Sequence, residues 1–249
     1  MAGSTNKLHI RKPVQKLLAS VPEKSREVLS RRFGIGRTNA ETLESIGQSY
    51  GITRERVRQI QEYGLKKLVL GGAQDELAPV FERVREFIKG RGGVASEADV
   101  FEALVVRSEY AHLAFSLRLM PDLVTAAETD DLHTRYAVDE TTRKSADVFV
   151  ASMHRKLAER NTPISFSELL ALAKRECENC LPAGDPPKKG DNTTFSNSVE
   201  YILRLSKRIC AGPFGEYGLS EWPAIRPRGV RDKAHLVFEK KSAHFISEK

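Results

Sequence analysis

With 249 residues, 40% of them hydrophobic and 29% charged, the chain has room for one large domain or two to four small ones and can form a packed core. No apolar run approaches the roughly 20 residues of a membrane span, MAGSTNKLHIRK lacks the apolar centre of a signal peptide, and three cysteines cannot make a disulfide framework, so a reducing cytoplasm is expected. Residues 1–72 hold 14 lysines and arginines against 6 acids, a net of +8, which leaves residues 73–249 at −1 in a chain of +7.

A basic first quarter favours a polyanionic partner, because neutralised phosphates release counterions. A solvated charged surface would give the same sum, so the pattern must decide. Val14–Ala19 is a short apolar-periodic helix, and Pro22 stands where proline suits a first helical turn. PEKSREVLSRRF places Val28, Leu29 and Phe33 on one side and stops at Gly34 and Gly36. The loop GIGRTNAE leads to TLESIGQSY, with Leu43, Ile46 and Gly47 inward. Thr42 is its N-cap, leaving a helix N-terminus available to a phosphate.

In YGIT, Gly51 supplies a left-handed turn, Ile52 plugs the angle between two helices, and Thr53 caps the second. A short glycine-containing turn before a polar helix is the helix-turn-helix pattern. In Thr53–Leu68 the inward positions are Val57, Ile60, Gly64 and Leu68. The opposite face carries Arg54, Glu55, Arg58, Gln59 and Glu62, side chains that read base edges in the major groove. The competing interpretation is a solvent-facing helix laced with Glu–Arg pairs.

The stretch VPEKSREVLSRRFGI…TLESIGQSYGITRERVRQIQEYGLKKL resembles region 4 of the bacterial primary-type sigma factors, over about residues 14–68, most specifically at TRERVRQI. That resemblance implies recognition of a promoter −35 element. Arg54, Glu55, Arg58 and Gln59 would face bases and nearby phosphates, with Thr53 capping the helix that carries them. Thr42, Arg56, Lys66 and Lys67 would lie on the phosphate side or flank it. The resemblance also implies docking on the flap of the RNA polymerase β subunit through the earlier helices. Two departures stand out. Thirteen residues before residue 14 are too few for the region that melts the −10 element, so an incomplete sigma factor is expected. Tyr63 and Gly64 replace an alanine-rich stretch, at a helix cost of about 1 kcal/mol for the glycine.

GGAQ (71–74) reads as a linker, and two segments beyond it align with one another. VFERVREFIKGRGGVASEADVFEAL (80–104) gives a helix, a loop with glycines at 90, 92 and 93, a short stretch at Val94–Ala95, and a helix capped by Ser96. FVASMHRKLAERNTPISFSELLALA (149–173) repeats this order, with Pro163–Ile164 as the short stretch and Ser165 or Ser167 as cap. A third helix follows each, about Tyr110–Leu119 and Ser196–Ser206, then a hairpin at 123–138 and 208–220. Three helices, a strand and a terminal hairpin make a winged helix. A third copy starts at 230–249, with Ser247 as a cap and no helix behind it, unless this is a frayed tail. It resembles the start of the HARE-HTH winged helices, which implies a chain cut short or an array that lost its last member.

The third helices are weakly basic: Arg118 in one, and Asn197, Arg204, Lys207 and Arg208 beside Glu200 in the other. Protein contact or weak DNA contact is therefore favoured over a second tight site. Cys177-Glu-Asn-Cys180 has the spacing of half a zinc site, but Cys210, His154 or His235 would have to complete it by coincidence, so metal-free cysteines are expected. Asp130, Asp131 and His133 sit between wing strands, where Asp is an ordinary turn residue. No Walker A, GxSxG or HExxH pattern occurs.

The expectation is a mostly α chain: a sigma region 4-like module at 1–72, winged helices at 76–140 and 143–229, and an incomplete module at 230–249. The function expected is a non-enzymatic, cofactor-free and metal-free transcription regulator. It would bind double-stranded DNA through Thr42, Thr53, Arg54, Glu55, Arg56, Arg58, Gln59, Lys66 and Lys67, with RNA polymerase as protein partner and no membrane. Two alternatives stand beside it, an adaptor gripping the polymerase flap with little sequence preference and a DNA-modification accessory protein.

Overall fold

The computed structural model describes residues 7–180, 192–234 and 236–238, with backbone alone at 177–180 and 192–194. It is mostly helical with small antiparallel sheets. Contacts divide it into two compact units, residues 1–88 with 97–123 and residues 89–96 with 124–249. This line differs from the module boundaries read from the sequence. The helices of the segment 76–140 fall in the first unit and its strands in the second.

In the first unit, α1 (Arg11–Ala19), α2 (Glu23–Phe33), α3 (Leu43–Tyr50) and α4 (Arg54–Leu70) follow the apolar spacing. Pro22 is the residue before α2, and Gly34 ends that helix in the left-handed conformation at φ 73°. The expected linker contains a helical turn, α5 (Ala73–Glu76), after Gly72 at φ 85°. It forms because Ala73 is fully buried. Next come α6 (Ala78–Lys89), α7 (Glu97–Leu104) and α8 (Tyr110–Arg118). They share a core with the earlier helices: Phe33 meets Phe115 edge-on at 5.3 Å, and Phe115 and Leu29 have no exposed surface. Burying each such side chain contributes about 1.5–3 kcal/mol. The segment ahead of α1 is tied down as well. The Leu8 amide donates to the Leu104 carbonyl at 2.7 Å, and the Ile10 amide donates to the buried Glu109 carboxylate at 2.7 Å. A buried carboxylate needs such a donor.

In the second unit, β1 (Val94–Ser96), β2 (Val124–Ala126) and β3 (Arg135–Ala137) form an antiparallel sheet in the order β1-β3-β2. Val94 pairs with Ala137, and Val124 pairs with the same residue from the other side. Val94 and Ala137 pack with Ala146 and Leu205, which explains why these strands belong to this unit. Helix α9 (Glu140–Arg160) begins nine residues before the aligned repeat, because the Asp139 carboxylate accepts from the Thr142 amide at 2.7 Å. Then follow α10 (Phe166–Cys180), α11 (Asn192–Leu203), and the hairpin β4 (Ile209–Ala211) with β5 (Tyr217–Leu219). Ser165, not Ser167, caps α10. Its hydroxyl accepts from the Glu168 amide at 3.3 Å, while Glu168 accepts from the Ser165 amide at 3.0 Å, a reciprocal capping box. Ile164 exchanges backbone hydrogen bonds with Tyr217, at 2.9 and 2.8 Å, and so extends the hairpin. Beneath the first sheet, Arg135, only 4% exposed, forks onto Asp147 with two bonds of 2.7 and 2.6 Å.

No helix among the described residues is long and apolar enough to cross a membrane. The Cys177 and Cys180 side chains, His235, and the expected cap at Ser247 lie outside the described residues.

Candidate nucleic-acid interface

Helices α3 and α4 meet through a turn that the sequence dictates residue by residue. Gly51 closes α3 at φ 64°, and its amide reaches the Gln48 carbonyl at 3.2 Å. The Ile52 amide donates to the Gly47 carbonyl at 3.0 Å. A Cβ on Gly47 would sit 2.7 Å from the Ile52 carbonyl oxygen, so the turn folds this tightly only over a glycine. The Thr53 hydroxyl accepts from the Arg56 amide at 3.2 Å, and Thr42 does the same for Ser45 at 3.1 Å. Val28, Ile46 and Val57 are fully buried between α2, α3 and α4, with Leu43, Tyr50, Ile52 and Ile60 packed around them. This core fixes the rotation of α4.

Helix α4 also lies close against α2. A Cβ on Gly64 would come within 3.0 Å of Leu29 Cδ1 and 3.1 Å of Ser25 Cβ. The glycine that looks like a weak point by helix propensity is therefore a packing residue, and the close approach offsets its intrinsic cost.

Val57, Gly64 and Leu68 are buried, and Ile60, Gln61 and Leu65 are half-buried beside them. Arg54, Glu55, Arg56, Arg58, Gln59, Glu62, Lys66 and Lys67 are all exposed, as are the caps Thr42 and Thr53. The face is internally organised. Arg58 Nε and Nη2 donate to the two Glu55 oxygens, each at 2.8 Å, and Arg58 Nη1 also reaches Glu62. Arg56 donates to Gln59 Oε1 at 3.0 Å. The hydrogen bond from Arg58 holds the Glu55 carboxyl below the usual carboxylate range, and Glu55 in turn raises the Arg58 guanidinium. Such pairs satisfy the side chains without DNA and must open for the same groups to meet base edges.

Sequence reasoning overlooked what sets the entrance to α3. Arg31, at the end of α2, forks onto Glu41 at 2.9 and 2.7 Å, and Arg32 holds the Glu41 carbonyl at 3.0 Å. Arg31 also lies 5.2 Å from the centre of the Tyr50 ring. Its hydrogen bonds draw the Glu41 carboxyl below its ordinary range. The loop 34–41 is thereby clamped one residue before Thr42. The only sequence signal is an opposite-charge pair flanking a glycine loop.

At the third helix of the second unit the basic side chains are already paired. Arg204 meets Glu200 at 2.8 Å, Lys207 meets Glu128 at 2.6 Å, and Arg208 meets Asp131 at 2.6 Å. Asp131 is thus an ion-pair partner, and no group of three or more His, Cys, Asp or Glu among the described residues could hold a metal ion.

Comparison with known proteins supports the same segment. The family model for sigma-70, region 4 matches residues 17–68. Over 59 residues the chain is 42% identical to the RNA polymerase sigma factor SigA of Nostoc sp. (strain PCC 7120), covering 24% of this chain and 15% of that protein. Over 55 residues it is 46% identical to the RNA polymerase sigma factor RpoS of Coxiella burnetii, covering 22% of this chain and 16% of that protein. The match thus spans about a sixth of each relative's length. Residues 17–68 are a sigma-70 region 4-type helix-turn-helix, and these two sigma-factor matches each cover less than a quarter of the chain.

Proposed function

We propose that the protein is a non-enzymatic, cytoplasmic regulator of bacterial-type transcription that reads promoter −35-like duplex DNA through α4 and works together with RNA polymerase. The observation that carries this reading is the solvent-facing row of Arg54, Glu55, Arg58 and Gln59 at the first turns of the second helix of a helix-turn-helix. These are donors and acceptors suited to guanine, cytosine and adenine edges. Thr42, Thr53, Arg56, Lys66 and Lys67 would position the module against phosphates. The matched relatives are RNA polymerase sigma factors, which agrees with this reading. The modules at 76–140 and 143–229 are proposed as winged helices that make protein or weak DNA contacts, and the paired state of Arg204, Lys207 and Arg208 supports that assignment.

The test is binding of the full chain to duplexes with and without a TTGACA-like element across a salt series. Equal affinity for both, unchanged by Arg58→Ala and Gln59→Ala, would overturn sequence reading. A second reading, an adaptor docking on the polymerase β flap with little sequence preference, is favoured by one observation. Tyr63, Val69 and Leu70 expose 50%, 41% and 76% of their surface on the later turns of α4. It predicts binding to core polymerase that is weakened by Leu70→Ser and indifferent to Gln59→Ala.

A further inference from the structure

The first unit contains a cleft of about 920 Å³ that the DNA-reading face does not use. Its walls come from α1, α2, the loop 34–40, and the segment from Arg107 to Ala114. Arg11, Arg26, Arg37 and Arg107 line it, and none of its lining residues is Asp or Glu. Four guanidiniums around one concavity repel each other unless an anion lies between them, and guanidinium matches phosphate geometry with two parallel donors. Arg37 has a carboxylate nearby, Glu41 at 3.8 Å. Glu41, however, is already forked by Arg31.

The lining is not only cationic. Phe33 and Tyr110 are partly exposed in it, each held edge-on by a buried neighbour, Phe115 and Phe101 respectively, at 5.3 Å. Aromatic rings of this kind are stacking platforms for bases. His112, 5% exposed, also lines the cleft, and its Nδ1 is buried without a hydrogen-bond partner. An orphaned buried nitrogen costs free energy that a ligand group can relieve. Burial, with Arg11 adding to it, lowers the His112 pKa, which favours the neutral ring, able to donate or accept. The volume lies in the range of small-molecule sites and suits one nucleotide rather than a duplex.

We propose that this cleft binds a nucleoside polyphosphate, with the arginines on the phosphates and Phe33, Tyr110 and His112 toward the base. It goes beyond the DNA-reading role and does not depend on it. The test is calorimetric titration of the full chain with ATP, with adenosine and with inorganic tripolyphosphate, each up to about 1 mM. One ATP per chain is expected, held more tightly than either fragment. Arg107→Ala, at an exposed position, should weaken ATP about tenfold to a hundredfold and leave duplex binding unchanged. Arg26→Gln should do the same should Arg107→Ala fail to fold. Saturation by tripolyphosphate as tightly as by ATP would overturn base recognition. Absence of saturable binding, full competition by duplex DNA, or ATP affinity unchanged in both variants would overturn the site.

Discussion

Arg58 grips Glu55, one turn earlier on α4, through two parallel hydrogen bonds of 2.8 Å. The pair sits at the centre of the face proposed to read DNA, and one member carries the charge that phosphates repel. Glu55→Ala should therefore strengthen binding to duplexes of any sequence while reducing the preference for a TTGACA-like element. Arg58→Ala should weaken that preference by about 1–3 kcal/mol. Fluorescence anisotropy on matched and scrambled duplexes at two salt concentrations checks both. Unchanged preference in both variants would remove the pair from recognition.

Lys67 lies exposed on the same helix and is proposed to face phosphates rather than bases. Lys67→Ala should weaken matched and unmatched duplexes alike and reduce the slope of log affinity against log salt by about 1. A sequence-dependent loss would mean that Lys67 touches bases instead.

Two glycines of the helix-turn-helix, Gly47 and Gly64, should respond unequally to an added methyl group. At Gly47 the new Cβ meets a backbone carbonyl at 2.7 Å, which cannot swing aside, so Gly47→Ala should cost about 2 kcal/mol or more. At Gly64 it meets side chains at 3.0 and 3.1 Å, and the gain of about 1 kcal/mol in helix propensity opposes the strain. Gly64→Ala should consequently be the milder of the two in urea unfolding. The reverse order would contradict the tight α3–α4 turn.

Glu41 links stability to pH. Its hydrogen bonds to Arg31 lower its pKa in the folded protein, so the folded state holds the proton less tightly than the unfolded chain. The contribution is fully present above the ordinary glutamate range and is lost as the pH falls through the depressed value. Arg31→Met should return the Glu41 titration, followed by carboxyl-carbon NMR, to its ordinary position and flatten the acid limb of stability. An unchanged titration would show that Arg31 is not its cause.

In the second unit, Arg135 is the buried member of an ion pair with Asp147. Asp147→Ala would leave its guanidinium under the sheet without that carboxylate, so a loss of about 3 kcal/mol is expected. Replacing both residues with apolar ones should recover much of it, because the apolar pair needs no desolvation of charge. Thermal melts of the single and double variants decide.

Much of the helix-turn-helix was legible because its determinants are local. A left-handed Gly51, the capping Thr42 and Thr53, and apolar residues at helical spacing specify two helices and a turn within 27 residues, and the structure has each in place. The exposure of Arg54, Glu55, Arg58 and Gln59 follows from the same periodicity. The helix, strand and hairpin order of the later segments was also readable, because each element announces itself by its own pattern.

What the sequence by itself determined, then, was which face of α4 is free and which residues cap it, since both depend on neighbours three or four positions away. Tertiary structure alone decided the rest. It joined α6, α7 and α8 to the four N-terminal helices, and the strands around them to the later unit. It turned Gly64 from a helix defect into a contact with Leu29. It paired Arg31 with Glu41 and gathered four arginines around one cleft. These outcomes depend on close packing between residues far apart in the chain, and differences in fit of about an ångström or less are not encoded in any local pattern.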